Sequence, residues 1–352
     1  MSRNSHQNLR RGWTTGACAT AATKAALQAL WGGDFPSDVM IALPKGETPR
    51  FEIIHRESGD GWAEAGVRKD AGDDPDVTHG ALIIVRVERG TGGVSFHAGS
   101  GVGTITKPGL PIAVGEPAIN PKPREMMIGI VKECAAQFGQ AANISITISI
   151  PGGEEIATKT WNPRLGIVGG LSVLGTTGIV RPFSCSAWIA SIHRGIDVAR
   201  AIGLDHLSGC TGSTSEASVQ SLHQLPDEAM LDMGDFVGGV LKYLKKHPVK
   251  QLTIGGGIGK ITKLAQGAMD LHSARSQVDF AQLNAWSVDA GLAEVRQANT
   301  ALEAVEIAGI GLAQCVANKA KVQIDLVLKS EIETDVVVID RTGKILAKAG
   351  RA

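Results

Sequence analysis

Alternation of apolar and polar positions sets out the first half of the chain. Residues 62–68 and 81–88 alternate strongly and predict strands, and residues 143–150 alternate Ile with Ser or Thr. Shorter strand patterns cover 39–43, 51–55 and 94–98, the last entered through a glycine turn at 90–93. Together these predict a meander, mostly antiparallel or mixed. Helical spacing appears at Met126, Met127, Ile130, Val131, Cys134 and Phe138. A small-residue helix is predicted over 17–31, with Thr14 and Thr15 at its start and Gly32-Gly33 at its end. Residues 1–10 are polar and read as disordered.

Near Pro182 the grammar changes to strand, glycine loop, helix. Helices are predicted over 184–201, from about Glu216, and over 235–246. Strands are predicted at 204–207 and 249–254, each feeding a Gly-rich stretch, Ser208–Ser215 and Gly255–Lys260. Residues 271–327 read as mostly helical, and 336–339 with 344–346 as a closing hairpin. The expected fold class is α+β overall: a mixed or antiparallel N-terminal sheet with packed helices over 1–181, then an α/β Rossmann-like domain over 182–352.

Composition narrows the function. Lys+Arg and Asp+Glu both number 35 in 352 residues, which argues against a polyanion-binding surface. Aromatics are only 4%, so a base-stacking nucleic-acid platform is not expected. Cys18, Cys134, Cys185, Cys210 and Cys315 are scattered, with no C-x-x-C pair, which fits a reducing compartment and no zinc knuckle. No apolar run reaches membrane-spanning length, so the expectation is a cytoplasmic protein.

Candidate chemistry sits in the chain breaks. Between the 62–68 and 81–88 strands, Lys69–Gly80 carries Asp70, Asp73, Asp74, Asp76 and His79 around Gly72 and Pro75. A solvated acidic turn has the same composition. The free amides of the 17–31 helix, next to Arg10 and Arg11, suit an anionic group, though an ordinary capped helix looks the same. The loop beginning at Gly99 offers Thr104, Thr106 and Lys107 as an anion cradle but fails G-x-G-x-x-G. Gly255–Lys260 is not a P-loop, because Ile254 holds the first glycine position and Ile261 follows the lysine. No spacing dictates a metal site; His79 with His97 is the only pairing the strand pattern brings forward, and His193 and His206 read as satisfied histidines.

Several long motifs occur in one order: Arg11-Gly-Trp-Thr-Thr-Gly16, Lys69–Gly80, Gly101-Val-Gly-Thr-Ile-Thr-Lys-Pro-Gly109, Gly115-Glu-Pro-Ala-Ile-Asn-Pro121, Asn162-Pro-Arg-Leu-Gly-Ile167 and Gly175-Thr-Thr-Gly-Ile179. On these the chain, over roughly 9–350, resembles the cobalt-precorrin-5B C1-methyltransferase family of cobalamin biosynthesis. The resemblance implies an enzyme that uses S-adenosylmethionine to methylate C1 of a cobalt corrinoid, with neighbouring pathway enzymes as transient partners. It fixes no residue roles; the residue types in the motifs suggest them. Asp70, Asp73 or Asp74 would act as base or cation stabiliser with His79 in support. Arg10, Arg11, Thr14, Thr15, Thr104, Lys107, Arg124 and Arg164 would meet the acidic arms of the macrocycle. Gly255, Gly256, Gly257 and Gly259, with Gly209 and Thr211, would line the S-adenosylmethionine site. Gly257 replaces the histidine of the Gly-His-Ile-Gly-Lys motif of many relatives, and Ser213–Glu216 departs from their Gly-Asn-Tyr-Gly pattern. A related aerobic-route precorrin as substrate, a non-catalytic corrinoid carrier and a kinase-type phosphate enzyme are the alternatives.

Overall fold

The computed structural model describes residues 9–329 and 332–351. The expectation of disorder over 1–10 falls outside these residues except at Leu9 and Arg10. The chain packs as two compact units that divide at Ser184 and Cys185.

The first unit is a sheet with helices on one face. Its strand order is His55–Gly59, Trp62–Arg68, Leu82–Arg89, Ile144–Ser149, Val94–Ala98. The first three pairings are antiparallel and the last is parallel. Ala63, Ala65, Val67, Ile83, Val85, Val87, Ile144, Ile146 and Ile148 point to one side and are buried. Against that face packs the helix Thr15–Gly32, which also meets the helix Pro121–Phe138. Its alanines explain the close fit: Ala17 through Ala22, together with Ala25 and Ala26, are buried, a density that larger residues would not allow. Thr14 caps it by accepting from the Ala17 amide at 3.2 Å, and Gly33 closes it in the left-handed region.

The expected meander forms only as far as Leu82–Arg89. The Gly90–Gly93 turn leads into Val94–Ala98, but Ile144–Ser149 inserts between that strand and Leu82–Arg89. Burial decides the order. The inserted strand buries every second residue, Ile144, Ile146 and Ile148, whereas Val94–Ala98 is largely exposed and suits an edge. The pattern at 51–55 also divides, into Arg50–Glu52, paired with Asp38–Met40, and the separate strand His55–Gly59.

The second unit is a sheet ordered Met230–Leu231, His206–Cys210, Gln251–Gly257, Glu333–Ile339, Ile345–Ala349. The first four strands are parallel and the last is antiparallel, forming the closing hairpin. Numbered along the unit, the order is 2-1-3-4-5, so the direction of winding reverses between His206–Cys210 and Gln251–Gly257. One face carries the large core with the helices Cys185–Ala201, Val237–Leu244, Ile258–Ala265 and Ile310–Leu328. The other face carries Cys210, Val337 and Ile339, which pack with Val219 of the covering helix Ser213–His223. The stretch 271–327 is broken into Phe280–Asp289, Ala301–Ala308 and Ile310–Leu328, the last running one residue past it, with Gly309 separating the last two. None of the helices, among the described residues, is long and apolar enough to cross a membrane.

Candidate functional site

The motif loops of the first unit meet along one stretch of chain, Ile167 to Val180. Ile167 and Val168 pair with Ile105 and Thr104, Leu171 with Val102, Val173 with Ile119, and Ile179 and Val180 with Trp13 and Gly12. In between, Leu174 and Gly178 carbonyls accept from the amides of Gly16 and Thr14, each at 3.0 Å. The acidic loop joins from the opposite side of the segment around the Gly12–Trp13 strand: Trp13 donates to the Asp70 carbonyl at 2.7 Å and the Asp73 amide donates to the Arg10 carbonyl at 3.0 Å. At these crossings the backbones touch. A Cβ on Gly12 would overlap the Ala71 backbone, and one on Gly72, which sits at φ +69°, would overlap the Arg10 carbonyl. The six motifs, remote in sequence, therefore form one corner.

Within that corner the acidic loop is tied internally. Lys69, only 1% exposed at its side chain, pairs with Asp76 at 2.5 Å, and Asp76 also accepts from the Thr78 amide and hydroxyl. Burial pushes the Asp76 carboxyl up, but the Lys69 ammonium and the Thr78 bonds outweigh it and hold the group below the usual carboxylate range. Arg10 grips both oxygens of Asp70, which depresses that carboxyl too. Asp74 accepts from the Phe183 amide at 2.9 Å. Asp73 accepts from the Arg10 amide at 2.6 Å through Oδ2 alone and is otherwise exposed. His79 is exposed, and its Nδ1 accepts from the Ala71 amide at 3.1 Å. That bond sets the neutral ring's proton on Nε2, so His79 presents a donor outward and not a basic lone pair. Asp70 and Asp74 hold the loop's shape; Asp73 is the exposed carboxylate of the loop.

The expected cations divide in the same way. Arg10 is committed to Asp70. Arg124 is committed as well: it donates to the Ile119 and Pro117 carbonyls and pairs with Glu116 at 3.1 Å, clamping the loop before its own helix. Its spacing in the sequence gave no sign of that clamp. Arg11 is exposed and makes no ion pair among the described residues. The Lys107 stem lies over Gly166, and Arg164 stacks on Trp161 at 4.5 Å. Thr104 sits half-buried opposite Val168, and Thr14 and Thr15 are buried at the helix start. His97 bonds Ser95 on the edge strand, with Ile144–Ser149 between it and Leu82–Arg89, so its expected neighbourhood with His79 does not arise.

In the second unit Gly255, Gly256 and Gly257 belong to the strand and not to a loop; they pair with Val337, Val338 and Ile339. The reason is packing. A Cβ on Gly255 would meet Val219 at 2.6 Å, one on Gly256 would meet Thr211 Oγ1 at 2.7 Å, and one on Gly209 would meet Met233 Sδ at 2.8 Å. These three glycines admit the protein's own side chains. Gly257, Gly259 and Gly212 differ: nothing lies within 4 Å of a Cβ there. They stand where the winding reverses, at the starts of the helices Ser213–His223 and Ile258–Ala265. Lys260 spans this crevice, donating to the Thr211 carbonyl at 2.9 Å and pairing with Asp235 at 2.9 Å. The Asp235 oxygen in that pair, Oδ1, is buried. Lys260 and Asp235 were not among the expected site residues. Asp235 could have been read as the carboxylate following the short strand Met230–Leu231. Neither Cys18 nor Cys210 is a nucleophile here, since burial pushes the first thiol up to about 12 and the second to about 11.

The architecture is thus a two-unit α+β protein with a loop corner in one unit and a strand-end crevice in the other. The chain belongs to the CbiD family: the CbiD model matches residues 2–182, and the model of the CbiD C-terminal domain matches 270–350. It is similar to the cobalt-precorrin-5B C(1)-methyltransferase of Brucella anthropi, 60% identical over 97% of this chain and 95% of that one. The protein of the same name from Paramagnetospirillum magneticum is 57% identical, covering 97% of this chain and 99% of its own. A crystal structure of a cobalamin biosynthesis protein (cbiD) from Archaeoglobus fulgidus is 28% identical, with a TM-score of 0.41 over 71% of this chain and 77% of that one.

Proposed function

We propose that this chain is a cytoplasmic enzyme that methylates C1 of cobalt-precorrin-5B with S-adenosylmethionine as donor. The observation that carries the reading is 60% identity, over nearly the whole chain, to a protein named for that reaction. S-adenosylmethionine supplies an electrophilic methyl group when bound. The residues then have three tasks: to hold the donor, to hold the acidic arms of the macrocycle, and to manage one proton.

The crevice of the second unit fits the first task, and its 2-1-3-4-5 strand order supports a Rossmann-like description. Gly212, Gly257 and Gly259 leave room for close approach, and Asp235, beside its ion pair with Lys260, keeps lone pairs for a sugar hydroxyl. Thr211 and Lys260 fix the rim. Gly209, Gly255 and Gly256 serve this site by packing and not by contact. The corner of the first unit fits the second task through Arg11, Lys107 and Arg164, with Thr104 and the threonine-capped helix start beside them. For the proton, Asp73 is the base and His79 Nε2 donates a hydrogen bond to the substrate.

Transfer of label from S-adenosylmethionine to cobalt-precorrin-5B, read by mass spectrometry, tests the reaction. Calorimetry with the donor, with and without corrinoid, separates an enzyme from a carrier. Corrinoid binding without saturable donor binding would overturn the proposal, and full activity in Asp73→Asn would remove that residue from the chemistry.

A further inference from the structure

Beneath the sheet of the second unit, at the opposite ends of the strands from the crevice, three metal-ligating side chains converge. His206 opens its strand, Asp335 is the third residue of its own, and His223 ends the helix that covers this face. One donor atom from each of them lies within 4.8 Å of the other two. The register explains the convergence. Ser208 pairs with Thr253 and Thr253 with Asp335, so His206, two residues before Ser208, points to the same face. The His206 and His223 rings meet edge to face at 4.9 Å.

The surroundings are those of an organised ligand set. Asp335 is 2% exposed, and each of its oxygens is held by an outer group: Oδ2 accepts from Gln251 at 2.5 Å and Oδ1 from the Arg351 amide at 2.7 Å. Two accepted bonds leave lone pairs on the carboxylate. Thr253 Oγ1 bonds His206 Nε2 at 2.8 Å and orients the ring. His223 Nε2 is buried and has no hydrogen-bond partner among the described residues. A buried imidazole nitrogen without a partner is costly, and internal hydrogen bonding does not account for it here.

We propose that His206, His223 and Asp335 bind a divalent transition-metal ion of the zinc class. Two imidazoles and one carboxylate form a borderline nitrogen and oxygen set that suits such an ion and disfavours Mg2+ and Ca2+. Donors about 2.0–2.2 Å from zinc lie roughly 3.3–3.6 Å apart in a tetrahedron, so modest ring rotations close the set. The three ligands leave one position for water. The ion ties the start of one strand, the end of the covering helix and a second strand, which the Arg351 amide already clasps. Its role is structural, since it lies at the strand starts and away from Gly257. This site is independent of the methyl-transfer reading, and any cobalt in the corrinoid is a separate ion.

The test uses the full chain, stripped with a chelator and titrated with Zn2+ or Co2+ alone, without corrinoid. The expected result is one ion per chain by elemental analysis, a visible absorption band of four-coordinate Co2+ and a rise in Tm on Zn2+ addition. His223→Ala abolishes all three, while Gln251→Ala, which removes an outer bond to Asp335, weakens affinity about 10–100-fold. His97→Ala, in the first unit, changes none of them. Wild-type protein that takes up no stoichiometric ion, or that keeps the ion in His223→Ala, overturns the site. If His223→Ala fails to fold, the wild-type stoichiometry and the Gln251→Ala affinity decide the question.

Discussion

At Gly12 and Gly72 a side chain has no room, because another strand of backbone occupies the space. At Gly257 and Gly259 nothing stands within 4 Å of where a Cβ would be. Both pairs lie in Gly-rich motifs, yet the first closes the protein on itself and the second leaves an opening beside two helix starts. The same contrast runs through the charges. The acidic loop saturates itself, with Lys69 on Asp76, Arg10 on Asp70 and a backbone amide on Asp74. In the crevice Lys260 pairs with Asp235 Oδ1, and that carboxylate keeps lone pairs for a further donor. A motif can thus be invariant in kind and opposite in purpose: one glycine is required by the fold, another is available to a ligand. Asp73 and His79 stand exposed at the surface of the corner, on a framework held by their neighbours.

This contrast can be broken experimentally. The largest effect is expected for Asp76→Asn, which strands the buried Lys69 ammonium and destabilises the first unit by about 3–5 kcal/mol. Urea unfolding with hydrogen exchange resolved by unit checks it, and a wild-type midpoint would show that the pair is not structural. Next come matched glycine substitutions. Gly12→Ala costs about 1–3 kcal/mol through backbone overlap. Gly257→Ala, at φ −66°, leaves stability within about 1 kcal/mol of wild type but weakens S-adenosylmethionine binding, as read by calorimetry. Equal stability losses at the two positions would erase the distinction drawn above. Lys260→Met comes third: it releases the Thr211 carbonyl and Asp235, and donor affinity falls about tenfold, by roughly the worth of one charged hydrogen bond.

The smallest effect concerns pH. Asp70 and Asp76 both have folded values below their unfolded ones. Such groups add stability that is present above the ordinary carboxylate range and is lost as pH falls through the folded values. The first unit therefore weakens in acid, below pH 4. Arg10→Gln removes the main cause of the Asp70 depression, so the acid loss becomes shallower. Unfolding midpoints measured across that range in both proteins check the sign.

The amino-acid sequence by itself determined what depends on neighbours along the chain. Thr14 and Gly33 bound their helix because capping is local, and strands such as Trp62–Arg68 followed from period-two alternation. The chain breaks that carry the motifs were legible for the same reason, and so was the family. Only the tertiary structure decided what depends on partners far away. It placed Ile144–Ser149 inside the first sheet, because burial of its isoleucines outweighs a nearby turn. It committed Arg124 to Glu116 and drew Gly255 and Gly256 into a strand. It also brought His206, His223 and Asp335 together, although 129 positions separate the first from the last. Spacing in sequence carries no record of such contacts, since sheet register and side-chain packing fix them once the chain has folded.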